Sequence, residues 1–183
     1  MNVTLDSIKN AYKTLGYPFK DFNILGIRAK EYNTNTFNDL IGFATNDTFM
    51  LFEATTDPGH IVGKDHLREG TATMKAGFYP RLYRNGFHKN NSKHPALVQV
   101  NRAYFYRVKN GKQFDHTTLE HSLIGANLHS TRIDWTPTDV DNFSLACQVI
   151  RRWQSHLRLM VMCRNSGMKF FDYALFQEKE ICI

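Results

Sequence analysis

Cysteine is scarce in this chain, and its scarcity excludes several chemistries. Only Cys147, Cys163 and Cys182 occur among 183 residues. An odd number at wide spacing implies no disulfide framework. No CxxC pair exists, so neither a zinc ribbon nor a thioredoxin-type redox centre is expected. Long apolar runs are missing too: nothing approaches the about 18 consecutive apolar residues of a membrane helix. The opening stretch MNVTLDSIKNAYKTLGYPF lacks an apolar centre, so no secretory signal peptide is expected. Internal repeats and low-complexity tracts are absent from the sequence.

What is present suits a single domain over 1–183, with residues 1–18 as an N-terminal helix and lead-in. Hydrophobic residues at 42% and aromatics at 13% exclude wholesale disorder. Lys and Arg number 23 against 17 Asp and Glu, a net charge of +6. That balance favours polyanionic surroundings such as nucleic acid, anionic lipid or a bacterial wall. The densest basic groups, Arg151-Arg152 and residues 89–93, are short, so charge describes an environment and defines no binding motif.

Periodicity predicts two helices and a series of strands. Residues 4–15 read as a helix capped by Thr4, with Leu5, Ile8, Tyr12 and Leu15 as its stripe and Gly16 as its stop. FNILGIRA, DLIGFAT and FMLFEAT read as strands, the last two joined by a tight turn at Asn46-Asp47. GTATMKAGFY, ALVQVNRAYFYRV, LIGANLH and MKFFDYALF read as further strands, with KNGK as a hairpin turn and HKNNSKHP as an exposed basic loop. A second helix is expected from about Ile150 to Arg164, its face formed by Ile150, Trp153, Leu157 and Val161. The fold class is mainly β with flanking helices (α+β).

FSLACQVI carries the one cysteine set among small residues. His129 ends the predicted strand LIGANLH, and residues 130–146 form a loop long enough to bring its imidazole beside Cys147. Ala146 and Ser144 make a small turn whose backbone N–H groups face a substrate carbonyl. A helix expected to begin near Ile150 would favour thiolate over thiol.

A histidine, a loop and then Ser-x-x-Cys, here His129 and SLAC, resemble the L,D-transpeptidase (YkuD-like) family. GANLHS, TATMKAGFY, NILGIR, FND, TTDPG, ALVQV and CQV extend the likeness from about residue 22 to the final strand. The resemblance implies a β-sandwich with a small N-terminal helix and a cysteine enzyme acting on peptidoglycan stem peptides. Cys147 would be the nucleophile and His129 its base, with oxyanion support from Ala146 and Ser144. His121, His88, Tyr79 and Gln148 are expected to line the cleft. The product would be that of an L,D-carboxypeptidase, endopeptidase or transpeptidase, formed through a thioester without cofactor or metal. The family's glycine before the cysteine is Ala146 here, and its Arg or Asn after the cysteine is replaced by Gln148-Val149. Histidine orientation in the family often falls to a backbone carbonyl; Asp134, Asp139 and Asp141 are the acidic alternatives.

Other readings compete. His60, His66, His88, His94, His116, His121 and His129 suggest a metal, but no His-Glu-x-x-His or other defined ligand set occurs. Tyr104 and Tyr106 between Arg102 and Arg107 are a weak form of a nucleic-acid platform. A non-catalytic wall-binding module is the third reading. Peptidoglycan is the expected partner, with no nucleic acid and no membrane span; oligomeric state is left open. Synthesis in the cytoplasm and delivery to the wall or periplasm, by phage or secretion machine, is the matching location.

Overall fold

Helix α1 (Leu5–Thr14) starts where side chains stop the backbone donors from being orphaned. Ser7 N–H donates to Thr4 Oγ1, and Thr4 N–H donates to Ser7 Oγ, a reciprocal capping box. Gly16 beyond its end takes φ +69°, the left-handed conformation that glycine adopts without penalty. The buried face is Ile8, Ala11 and Tyr12; Leu15, expected on that stripe, is exposed. The computed structural model describes residues 1–30, 35–59, 71–108 and 119–181. His60, His66, His116, Cys182 and the KNGK turn lie outside the described residues.

Strands β1 (Asn23–Arg28), β2 (Asp39–Ala44) and β3 (Phe49–Thr55) form an antiparallel meander, with the expected turn between the last two. Then come β4 (Thr71–Met74), β5 (Gly77–Phe87), β6 (Pro95–Gln99), β7 (Ala103–Val108) and β8 (Leu119–Ser122). β9 (Leu128–Ser130), β10 (Gln148–Ile150), helix α2 (Trp153–Asn165), β11 (Phe171–Gln177) and helix α3 (Glu178–Ile181) complete the order. The architecture is mainly β with a few helices. The sheet closes as a barrel, β1-β11-β5-β6-β9-β10-β3-β2, where a sandwich was expected, and β4-β7-β8 form a separate sheet. Closure follows from two parallel pairs, β1 with β11 and β9 with β10, which join what would otherwise be open edges. Among the described residues, no helix is long and apolar enough to cross a membrane.

Two stretches read as single strands are each broken and shared between the sheets. GTATMKAGFY divides into β4 in the small sheet and β5 in the barrel: Lys75 N–H still bonds Tyr104 O on β7, and the chain joins the barrel from Gly77 onward. ALVQVNRAYFYRV divides into β6 and β7, where Val100 N–H bonds Leu82 O and Asn101 Nδ2 bonds Pro80 O. β5 runs on through Pro80 by a bulge: Arg81 takes φ +50°, and its N–H goes to the Asp172 carboxylate. LIGANLH is a strand only at its end; Gly125 at φ +77° bends the preceding residues.

Apolar side chains of the barrel interior, among them Ile24, Phe43, Leu97, Leu128, Ile150 and Tyr173, pack with α2 through Leu159, Met160 and Cys163. The buried face of α2 is therefore His156, Leu159, Met160 and Cys163. Leu157 and Val161, expected inward, are exposed. Helical period alone sets the spacing of a stripe, and the neighbouring sheet decides which stripe faces in. The segments NILGIR, FND and TTDPG, far apart in sequence, converge in a buried polar network. Arg28 Nε donates to Thr56 Oγ1 at 2.9 Å and lies 3.2 Å from Asp57 Oδ1. Asp39 accepts from Ala29 N–H, Thr56 N–H and Thr56 Oγ1 at 2.7 to 2.8 Å.

Candidate active site

Parallel pairing of β9 with β10 sets the site. His129 lies opposite Val149, and Cys147 immediately precedes β10, so the ladder brings the ends of the 130–146 loop side by side. The loop is tied down beside the thiol. Ser144 Oγ donates to Cys147 O at 2.8 Å, Gly59 N–H to Ser144 O and Ala72 N–H to Leu145 O, both at 2.9 Å. Residue 59 has to be glycine, because a Cβ there would collide with the Asp141 backbone carbonyl. Cys147 Sγ, a ring nitrogen of His129 and a ring nitrogen of His88 all lie within 4.8 Å of one another.

The imidazoles are oriented by backbone carbonyls. His129 Nδ1 donates to Ser130 O at 2.7 Å, and His94 Nε2 donates to the same oxygen at 3.2 Å. A carbonyl only accepts, so His129 is held as its Nδ1–H tautomer with Nε2 bare. That Nε2 is buried and without a hydrogen-bond partner. The His88 ring stacks on His129 at 3.9 Å between centroids and 30° between planes. Asp134, Asp139 and Asp141 do not orient the imidazole: Asp134 pairs with Arg132, Asp139 accepts from Thr138, and Asp141 N–H is held by Asn35.

Electrostatics make the resting pair neutral. Burial, with His88 next in size, holds the His129 imidazole well below its ordinary value, while the Ser130 bond acts the other way. Burial likewise pushes the Cys147 thiol up to about 11, opposed by a backbone hydrogen bond from Asn127 and by the Lys89 charge. The expected thiolate-favouring helix is displaced: β10 intervenes, and α2 begins at Trp153. Cys147 is half-buried, and its thiol points to Gly125 O at 3.7 Å.

Other expected cleft residues divide. His88, read as part of an exposed loop, is half-buried against His129. Gln148 is fully buried and faces the barrel interior, where Oε1 accepts from Tyr173 Oη at 3.1 Å. Tyr79 is buried in the core and its hydroxyl donates to Lys75 O. His121 is exposed on β8, stacked on Tyr104 at 4.4 Å, in the sheet outside the barrel. Ala146 is half-buried against the main core. Arg107, one of the two cations of the nucleic-acid reading, pairs with Glu120 at 2.8 Å.

Sequence reasoning passed over Asn127, read Tyr83 only as a packing residue at strand spacing, and treated His94 only as a metal candidate. Asn127 O accepts from Gln148 N–H, Asn127 Oδ1 accepts from Gln99 N–H, and Tyr83 Oη donates to Ala126 O. These bonds hold the strand that delivers His129. The one available signal was the pairing of His88 and His94 within HKNNSKH, whose rings lie 5.4 Å apart.

The assembled groups are a half-buried thiol, a neutral imidazole with one bare nitrogen, and a carbonyl that fixes the tautomer. They can form an acyl–sulfur bond and shuttle one proton. No family model matches the chain, and neither a curated protein nor a solved structure matches it.

Proposed function

We propose that the chain is a cysteine-dependent hydrolase or transpeptidase of peptidoglycan stem peptides, with the L,D-transpeptidase-like chemistry that SLAC and His129 suggest. The observation that carries this reading is the meeting of Cys147 Sγ with His129, whose Nδ1 is occupied by Ser130 O. The net charge of +6 suits an anionic wall.

The neutral resting pair implies concerted proton transfer. As sulfur attacks the carbonyl carbon, the thiol proton passes to His129 Nε2 and the S–C bond forms. Backbone N–H groups of Ala146 and Cys147 supply the oxyanion donors. Collapse expels the amine, which takes the proton from Nε2 and leaves a thioester. Water or an acceptor amine then attacks that thioester, gives its proton to Nε2, and the thiol is regenerated.

Purified peptidoglycan incubated with the protein, and resolved by mass spectrometry, tests the reading. A shortened stem peptide, a cleaved cross-link or a new cross-link is the expected result. Wall binding without any product would instead identify a binding module, and undiminished product from Cys147→Ala would remove the named nucleophile.

A further inference from the structure

His88 has no part in the acyl-transfer scheme, yet it faces the two groups that do. Its position is built by the backbone: the 3-10 turn His88–Asn90 carries φ +50° at Lys89 and +57° at Asn90, and it closes with Asn91 N–H on His88 O. The turn lays the His88 ring on His129 with ring nitrogens of both near Cys147 Sγ. We propose that His88, His129 and Cys147 bind one divalent cation of the zinc class, which holds the nucleophile and its base in an inactive form. The inactivating part rests on the reading of Cys147 as nucleophile; the binding part does not.

The donor set selects the ion. Two imidazoles and a thiolate suit Zn²⁺, Co²⁺ or Cd²⁺ and do not suit Mg²⁺ or Ca²⁺, which take oxygen ligands. Size agrees: a tetrahedral ion with bonds of about 2.0–2.3 Å sets its ligand atoms roughly 3.3–3.7 Å apart. The three ligand atoms lie within 4.8 Å, so contraction of up to about 1.5 Å completes the triangle. His88 is half-buried and is carried on a short turn.

An independent observation concerns the same imidazole. His129 is only 2% exposed, and its Nε2 has no hydrogen-bond partner. A buried lone pair without a donor is costly, and a cation relieves it. Ser130 O, holding Nδ1–H, is the outer partner that a ligating histidine uses to fix its ring. On binding, Cys147 releases its one thiol proton to solvent, the sulfur lone pair bonds the ion, and water fills the open fourth position. No electron changes hands. With sulfur and Nε2 both coordinated, neither attack nor proton transfer can start.

The test uses the full chain freed of metal by chelation. Titration with Co²⁺ or Cd²⁺ is followed by thiolate-to-metal charge-transfer absorption. One ion per chain is expected, with the band lost in Cys147→Ser and affinity about tenfold or more weaker in His88→Gln. Absence of the band from a parent chain whose Cys147 titrates as free thiol overturns the site, as does a band retained in Cys147→Ser; circular dichroism establishes that each variant is folded. Peptidoglycan digestion with and without Zn²⁺ tests the switch. Loss of product with zinc and its return with chelator support it, whereas product unchanged or raised by zinc overturns it. A band with one ion per chain but no product under metal-free conditions upholds the ion site and refutes the peptidoglycan reading.

Discussion

His129 donates its Nδ1 proton to the carbonyl oxygen of Ser130, the residue that follows it in β9, at 2.7 Å. The bond needs no acidic side chain, and it leaves Nε2 as the bare, basic nitrogen of a ring that lies within 4.8 Å of Cys147 Sγ by one of its nitrogens. Removing either member of the pair should therefore act on chemistry more than on folding. Cys147→Ala is expected to abolish product from peptidoglycan while its circular dichroism stays that of the parent. His129→Ala should lower turnover roughly 100-fold or more. A His129→Ala protein with parental turnover would show that another base serves the thiol.

Alkylation reports the protonation state of the pair. With the thiol pushed up to about 11 by burial, Cys147 rests as thiol at neutral pH. Its rate with iodoacetamide should climb about tenfold per pH unit between about pH 6 and pH 9, without a plateau. Cys163, fully buried in α2, should react far more slowly at every pH. A plateau below about pH 7 would reveal a resting thiolate–imidazolium pair and contradict the neutral one.

Acid should unfold the protein through its buried imidazoles. His156 donates from Nε2 to Pro95 O at 2.8 Å, and its Nδ1 is buried without a partner. Burial first, against the Pro95 bond and with the His94 charge, lowers it to about 4. A histidine with a depressed folded value binds fewer protons folded than unfolded, so stability falls as pH drops from about 6.5 towards about 4. His156 contributes roughly 3 kcal/mol of that loss. His88 and His129 are shifted the same way. Urea unfolding at about pH 7, 5.5 and 4 should give a slope that flattens in His156→Gln; an unchanged slope would dismiss His156 as its source.

The turn before the thiol admits two opposite substitutions. Ser144→Ala removes the bond to Cys147 O and should cost about 1 kcal/mol and lower turnover. Ala146→Gly gives the backbone freer approach to substrate and should keep or raise turnover at a stability cost of about 0.5–1 kcal/mol. Paired thermal melts and product assays separate the two; lost activity in Ala146→Gly would mean that the methyl group positions the cysteine.

The Asp39 carboxylate accepts three hydrogen bonds from Ala29 and Thr56 in the buried network. Asp39→Ala strands those donors and should destabilise the fold by about 3 kcal/mol or more. Denaturant titration checks this. A loss below about 1 kcal/mol would mean that water replaces the carboxylate.

Local physics was legible in the sequence. Thr4 as a cap, Gly16 as a stop, the β2–β3 hairpin at Asn46-Asp47 and the final strand all follow from side chains acting within a few residues. The pairing of Cys147 with His129 was suggested by the resemblance that His129 and SLAC carry, and a ring nitrogen of His129 lies within 4.8 Å of Cys147 Sγ. The wall substrate is an inference of another kind, resting on resemblance.

Tertiary structure alone decided the rest. Alternation marks a strand but not its partner, so two continuous patterns hid breaks that send β4 and β7 to one sheet and β5 and β6 to another. Helical period likewise gave a stripe for α2 without its direction, and the barrel selected His156 over Leu157 for burial. Cys147 lost its anticipated helix terminus because the parallel register with β9 claimed residues 148–150 as strand. That same register brought His129 to the thiol. His88 came from a third segment, read locally as a loop but with nothing to mark its contact with His129, because contacts between distant segments depend on how the barrel closes.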